Sequence, residues 1–430
     1  MKNKILFKGV VPLLALFSAQ AVALPFQSID PRSLSMGGTG TASGTSANAA
    51  FMNPALLAAT QQDEDFSLEL PIIGGRFVDK DNLIDEIDVY QNNSLESNLT
   101  TAINAFKLAP TDGNAAVVAT EAGALWAQLS KLANKAAQGE FSAGFVVGIP
   151  SKKLGASFSA NARAVGGGLL EVTSDDSTLV NGIVADGSTS AAALAANPAI
   201  QDQLTGTQDV VNKLTSNLQA RGALISEVSL ALAREFTVAG HSFAVGVTPK
   251  YQSVTTYDYK MGVNAASIDA DQGKKEYSDF NLDVGIAKDY ANGWKVGMVV
   301  KNLIANEYET APYVTPGLVA PTVSTLKIAP QARLGVAHFT EWTTVSMDVD
   351  LNKSDSFGFD SETQYIGLGA ELNVYKTVQL RLGYRHNMSD SATSMPTIGL
   401  GLSPFGVHID VAVAANDAET AGALQLGFRF

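Results

Sequence analysis

The sequence predicts an all-β membrane protein: a 14-stranded antiparallel outer-membrane β-barrel with an N-terminal plug and helical insertions in its extracellular loops. Three observations carry that prediction. Apolar and polar residues alternate strictly through the second half of the chain, the connections between the alternating segments sort into short and long by parity, and the final segment is a strand ending in phenylalanine.

The alternation is plainest at Ile366, Leu368, Ala370, Leu372 and Val374, which are interleaved with Gly367, Gly369, Glu371 and Asn373. Val378, Leu380, Leu382 and Tyr384 alternate in the same way with Gln379, Arg381, Gly383 and Arg385. Val345, Met347, Val349 and Leu351 alternate with Ser346, Asp348, Asp350 and Asn352. Period two gives each strand one apolar and one polar face. A barrel in lipid turns the apolar face outward, where a soluble sandwich would bury it. Fourteen such segments lie near 66–79, 140–149, 154–172, 224–237, 241–259, 277–290, 293–304, 328–340, 342–353, 362–374, 377–388, 395–403, 406–415 and 421–430. Many have about the 9–11 residues that a tilted strand needs to cross a bilayer, and their number is even.

Every long connection, including 80–139, 173–223, 260–276 and 305–327, follows an odd-numbered segment, and the short turns follow even-numbered ones. With a periplasmic N-terminus, that is the loop asymmetry of an outer-membrane barrel. Phe236, Phe243, Tyr290, Trp294, Phe339, Trp342, Tyr375 and Phe405 cluster at the short turns, as an interfacial aromatic girdle would. In the last segment Leu424, Leu426, Phe428 and Phe430 share one face, while Gln425, Gly427 and Arg429 share the other. Such a strand must pair with the first to close its edge.

The first residues read as an export signal over 1–23. Lys2, Lys4 and Lys8 precede an apolar run from Gly9 to Phe17, and Ala21-Val22-Ala23 is a cleavage site. Removing three lysines takes the formal charge from −13 to −16, a balance that argues against nucleic acid as a partner. No run reaches the ~18 apolar residues of a transmembrane helix. The chain has no cysteine, which excludes disulfides, thiolate metal sites and thiol redox chemistry. The long connections at 80–139 and 173–223 carry helical stripes: Leu95, Leu99, Ile103 and Phe106; Val118, Ala122, Leu125, Leu129, Leu132 and Ala136; and Ile200, Leu204, Val211, Leu214 and Leu218. They predict a helical cap over the outer mouth.

The stretch from Arg32 to Ala58 contains Gly37-Gly38-Thr39-Gly40 and suggests a phosphate loop at first glance. Ser43 stands where a dinucleotide fingerprint needs its third glycine, no strand precedes it, and no GxxxxGK[ST] is present. A compact structural role fits better. The glycines allow tight backbone turns in a confined space, and Asn53-Pro54 suits a helix start at Asn53-Pro54-Ala55. The segment 24–65 would fold back as a plug ahead of a barrel spanning 66–430.

This stretch, with Met36-Gly37-Gly38-Thr39-Gly40 and Asn53-Pro54-Ala55, resembles the N-terminal motif of the FadL-like superfamily of outer-membrane transport proteins, and most closely its conjugal transfer TraF-like exported members. The resemblance implies a 14-stranded barrel, a plug formed by the N-terminus and passage of hydrophobic molecules such as long-chain fatty acids. It places the plug or gate at Met36, Gly37, Gly38, Thr39, Gly40, Asn53, Pro54 and Ala55. The terminal face of Leu424, Leu426, Phe428 and Phe430 resembles the signal that outer-membrane barrels present to their insertion machinery.

The polar strand faces carry Arg333, Asp348, Asp350, Glu371, Arg381, Arg385 and Asp410, which point into a lumen and require partners there. Either they brace the wall or they line a path. His386 lies near Ser389 and Asp390, and His408 is two residues from Asp410, but no GxSxG frames a nucleophile and no metal-binding motif appears. The sequence therefore predicts no enzyme, no metal and no cofactor. It predicts a passive channel or binding protein for hydrophobic small molecules, embedded in outer-membrane lipid and gated by the plug. The alternative is an assembly protein that binds a protein partner through the helical cap.

Overall fold

Alternating strands can satisfy every backbone group in lipid only by closing on themselves, and this chain does so. The computed structural model describes residues 25–26, 30–59, 65–262, 273–314, 318, 323–355, 357–359, 361–375 and 377–429. Two short helices come first, α1 (Pro31–Ser35) and α2 (Leu56–Ala59). The barrel strands are β1 (Ser67–Val78), β2 (Ala136–Ile149), β3 (Gly155–Glu171), β4 (Asn217–Val238), β5 (His241–Gly262), β6 (Lys274–Asp289), β7 (Trp294–Lys301), β8 (Gln331–Phe339), β9 (Thr343–Asp350), β10 (Tyr365–Val374), β11 (Val378–Asn387), β12 (Met395–Leu402), β13 (Val407–Ala415) and β14 (Glu419–Arg429). Each pairs antiparallel with its neighbours in sequence. Closure comes from β1 against β14, with Ser67 opposite Arg429 and Val78 opposite Glu419. A register shift between Glu69 and Ile72 accommodates Pro71, which has no N–H to give to a ladder.

The fourteen strands are those the alternation predicts. The largest differences in extent are at the starts of β2 and β4, at Ala136 and Asn217 rather than 140 and 224. Those early residues stand above the apolar belt, where neither face needs to be apolar, so the period-two signal is missing there. Within the belt, Leu382 is 62% exposed, Val345 55% and Ile398 54%. In water such a surface would aggregate, whereas in lipid it is the outer wall. Trp294, Trp342, Tyr290, Tyr375 and Phe405 are exposed at the short-turn end, and Phe243 and Phe339 are half-buried there. Leu424 faces outward, while Gln425 points inward and donates to Glu69. Phe430 and residues 1–23, read from the sequence as an export signal, lie outside the described residues.

The long connections stand at the opposite end from the short turns. Between β1 and β2 come α3 (Leu83–Asn92), α4 (Leu95–Leu108) and α5 (Asp112–Leu132). Between β3 and β4 come α6 (Ser174–Thr189), α7 (Ala191–Ala196) and α8 (Pro198–Thr205). The last four begin with capping side chains: Thr111 accepts from the Asn114 N–H at 3.2 Å and Thr173 from the Asp176 N–H at 3.3 Å, and Ser190 and Asn197 cap α7 and α8. Together they form a dome around Leu99, Ile103, Phe106, Val118, Leu125, Leu129, Val180, Ile183, Leu194 and Ile200, all fully or almost fully buried. The helical stripes end earlier than their spacing suggests. Val210–Lys213 is a single 3-10 turn, Leu218 lies in β4 and Ala136 in β2, because the chain must by then be extended to rejoin the wall. No described helix is long and apolar enough to cross a membrane.

Candidate functional site

Residues 30–59 lie inside the barrel and almost all are buried. The wall holds them in two ways. The first is a set of polar contacts. Arg32 donates to Glu371 at 2.9 Å and to the Ser43 carbonyl at 2.6 Å. Glu371 also accepts from Arg381 at 2.7 Å, and Arg381 reaches Asp410 at 2.5 Å. Asp348 accepts the backbone N–H of both Gly40 and Thr41 at 2.9 Å. Arg333 pairs with Asp350 at 2.6 Å, donates to the carbonyls of Gly38 and Phe26 at 3.0 and 3.1 Å, and sits 3.9 Å from the centroid of the Phe26 ring. Thr39 bonds Ser346 at 2.7 Å, and Lys295 donates to the Ala59 carbonyl at 2.9 Å. Asn53 donates to the Thr41 and Ile286 carbonyls and accepts from the Ala55 N–H at 3.1 Å. It therefore caps the turn at Pro54-Ala55, with the regular helix beginning at Leu56.

The second is close backbone contact against glycines of the wall. A methyl group at Gly369 would lie 2.5 Å from the Met36 Cβ, one at Gly246 2.7 Å from the Pro54 carbonyl oxygen, and one at Gly155 2.6 Å from the Leu57 oxygen. Gly297, Gly335, Gly367 and Gly383 also meet backbone of the inner segment, and Gly285 and Gly399 meet the side chains of Asn53 and Ser35. A helix or loop can approach a sheet this closely only where Cβ atoms are missing. Sequence reasoning did not single out these wall glycines as a group. Their signal was their recurrence at period two on the polar faces, for example Gly367 with Gly369 and Gly399 with Gly401.

Spaces lie below and beside the inner segment. Below it, at the short-turn end, is a vestibule of about 910 Å³ bordered by Arg32, Lys295, Glu371, Arg381, Asp410 and Arg429. Beside Gly37 and Gly38 is a cavity of about 50 Å³, closed on the far side by Gly74, Gly75, Ala421, Gly422 and Ala423 and ringed by Phe26, Leu34, Arg76, Arg333, Asp348 and Arg385. It has room for water, which needs roughly 10–15 Å³. The Nε of Arg385 and the Oδ1 of Asp348, both buried, have no hydrogen-bond partner among the described residues. Arg385 pairs instead through Nη2 with Glu419 and stacks 4.6 Å from the Tyr365 ring centroid.

All seven lumen charges named from the sequence thus point inward. Arg333, Asp348 and Glu371 hold the inner segment directly. Asp350, Arg381 and Asp410 hold those holders, and Arg385 borders the cavity. The histidines are not assembled for hydrolysis. His386 bonds Ser394 at 2.9 Å, Asp390 pairs with Lys80, and His408 sits 2.5 Å from Glu69 while Asp410 binds Arg381. Among the described residues no group of three or more His, Asp or Glu side chains could hold a metal ion.

A family model described as "F plasmid transfer operon, TraF, protein" matches residues 50–350. No curated protein matches the sequence. Among solved structures, the chain is similar to the Ralstonia pickettii toluene transporter TbuX, at 12% identity and a TM-score of 0.49, covering 94% of this chain and 99% of that one. It is similar to the P. putida toluene transporter TodX at 11% identity and 0.48, covering 94% and 99%. It is also similar to a Pseudomonas aeruginosa FadL homologue at 11% and 0.45, covering 95% and 99%.

Proposed function

The chain belongs to the TraF family of F plasmid transfer operon proteins, and from that premise we propose that it is an outer-membrane channel or binding protein for hydrophobic small molecules, with residues 30–59 as its plug. One observation carries this reading. The plug fills the lumen but leaves a cavity on one side, where the wall is reduced to Gly74, Gly75, Ala421, Gly422 and Ala423. Small side chains on that arc give room for a solute to pass beside Gly37 and Gly38 toward the vestibule. The wall glycines make wholesale expulsion of the plug costly, because every backbone contact would be lost together. A local rearrangement of Gly37–Gly44 breaks fewer contacts and opens the same arc.

The test is uptake of the apolar dye N-phenylnaphthylamine by intact cells whose outer membrane carries the protein. Uptake above that of vector-only cells is expected, falling back to the vector level when Ala423→Trp fills the arc in a barrel that still shows heat-modifiable mobility. Equal uptake with and without the protein overturns the reading. The assembly alternative is favoured by one feature: the dome has a core of its own, separate from the lumen. Deleting residues 82–132, which ends with the last helix before β2, would then abolish capture of a partner while leaving dye uptake unchanged.

A further inference from the structure

The upper lumen contains a feature that the plug does not explain. Barrel interiors are polar, and most of this one is, yet Val165 of β3, Ala223 and Ile225 of β4 and Val254 of β5 point inward together as an apolar ring. Charged layers bound it on both sides. Toward the plug, Lys250 bridges Glu227 at 3.2 Å and Asp283 at 3.0 Å. Toward the mouth, Arg221 faces Asp258 at 3.6 Å.

The ring is covered by the β7–β8 connection. Asn306–Glu309 and Thr325–Ile328 form a two-stranded hairpin whose ladder is separate from the barrel sheet. Tyr308, Leu326 and Ile328, exposed by 2% or less, pack into the ring along with Phe357. At one end of the hairpin Tyr277 and Thr256 donate to the Glu309 carbonyl at 2.8 and 3.1 Å. A two-stranded hairpin is marginal by itself, so its order depends on the apolar contact it makes here.

We propose that this ring is a binding site for an elongated hydrophobic molecule, and that the hairpin occupies it in the resting protein as a built-in competitor. The inference rests on the proposed channel function and assigns the ligand site within it. Leu326, Ile328 and the ring of Tyr308, on a tethered, separately paired hairpin, have the size and character of an alkyl or aryl ligand. When they are seated, water is kept from an apolar surface lodged between charged layers. When a ligand arrives, it replaces them side chain for side chain, and the hairpin swings toward the mouth. Self-occupancy lowers apparent affinity by the fraction of molecules with the ring free, so loosening the hairpin should tighten binding.

Two measurements test this. In purified protein held in nanodiscs, Leu326→Ser with Ile328→Ser is expected to bind N-phenylnaphthylamine at least about tenfold more tightly than wild type. Ile225→Thr with Val254→Thr in that background should cancel the gain. In cells, Tyr259→Cys with Tyr313→Cys, opposite each other in a parallel bridge, places the only two thiols of an otherwise cysteine-free chain. Oxidation should suppress dye uptake and reductant restore it. If the loosened hairpin gains no affinity, or the oxidised pair takes up dye as fast as the reduced one while Ala423→Trp still blocks uptake, the ring site is wrong and the channel reading stands. If wild type takes up no more dye than vector-only cells, both fall.

Discussion

Removing the Asp348 carboxylate should loosen the plug where it turns at Gly40 and Thr41. Both N–H groups end on one oxygen of this side chain at 2.9 Å, and Asp348 itself is 2% exposed. Asp348→Ala leaves two buried donors without an acceptor, at roughly 1–3 kcal/mol each, or about 2–6 kcal/mol together. Part of that is offset, because the carboxylate's own burial ends and its Oδ1 has no partner to lose. The lower end, about 2 kcal/mol, is therefore the working figure, and it corresponds to about a thirtyfold change in the local opening equilibrium. Hydrogen exchange of peptides covering 39–44 reads it directly. Protection should fall by about thirtyfold in Asp348→Ala and by less in Asp348→Asn, which keeps an accepting oxygen, while the exchange of β9 and β10 stays as in wild type. Protection within threefold of wild type in Asp348→Ala would refute the idea that this carboxylate holds the plug.

Glu371→Gln should destabilise the folded barrel by about 3–5 kcal/mol in urea unfolding, since Arg32 and Arg381 both lose a buried charged partner. Gly369→Val pushes its side chain into Met36, and should displace the plug and raise single-channel conductance in planar bilayers. Phe106→Ala should cost the dome about 3–5 kcal/mol without moving the unfolding of the barrel, because Phe106 is buried in the helical core. At the mouth, burial tends to raise the Asp390 carboxyl, but hydrogen bonds from Lys80 and Ser361 outweigh it and hold it below the usual carboxylate range. A depressed folded-state value means this contribution is present above the unfolded value of about 4 and is lost as pH falls through the folded one. Exchange protection of residues 388–394 should therefore drop below about pH 4 in wild type, and Lys80→Met should show the low-pH behaviour already at neutral pH.

How far the sequence reached is clearest by comparing particular elements. The strand count, the inward set of Arg333, Asp348, Asp350, Glu371, Arg381, Arg385 and Asp410, and the placement of helices at one end were all legible. Each follows from a local rule: period two turns alternate residues to opposite faces, and lipid permits only one face to be apolar. The loop parity was legible for the same reason, since a hairpin needs only the residues of its own turn. Even the errors are local. The start of β4 was missed because Asn217 to Ala223 stands above the lipid, where no face is constrained.

What the tertiary structure decided is partnership. Arg32 and Glu371 are 339 residues apart, and Gly40 and Asp348 are 308 apart. Nothing in either neighbourhood names the other, because the register of fourteen strands and the height of the plug must be set before those atoms can meet. The same holds for the glycines of the wall, which look like weak strand residues until the plug backbone is laid against them. It holds again for Tyr308 and Leu326, which read as an ordinary loop, and for Ile328, which read as the first residue of a barrel strand, until closure of the barrel places Val165, Ile225 and Val254 around them. Local alternation determines which way a side chain points, and only the closed barrel determines what it meets there.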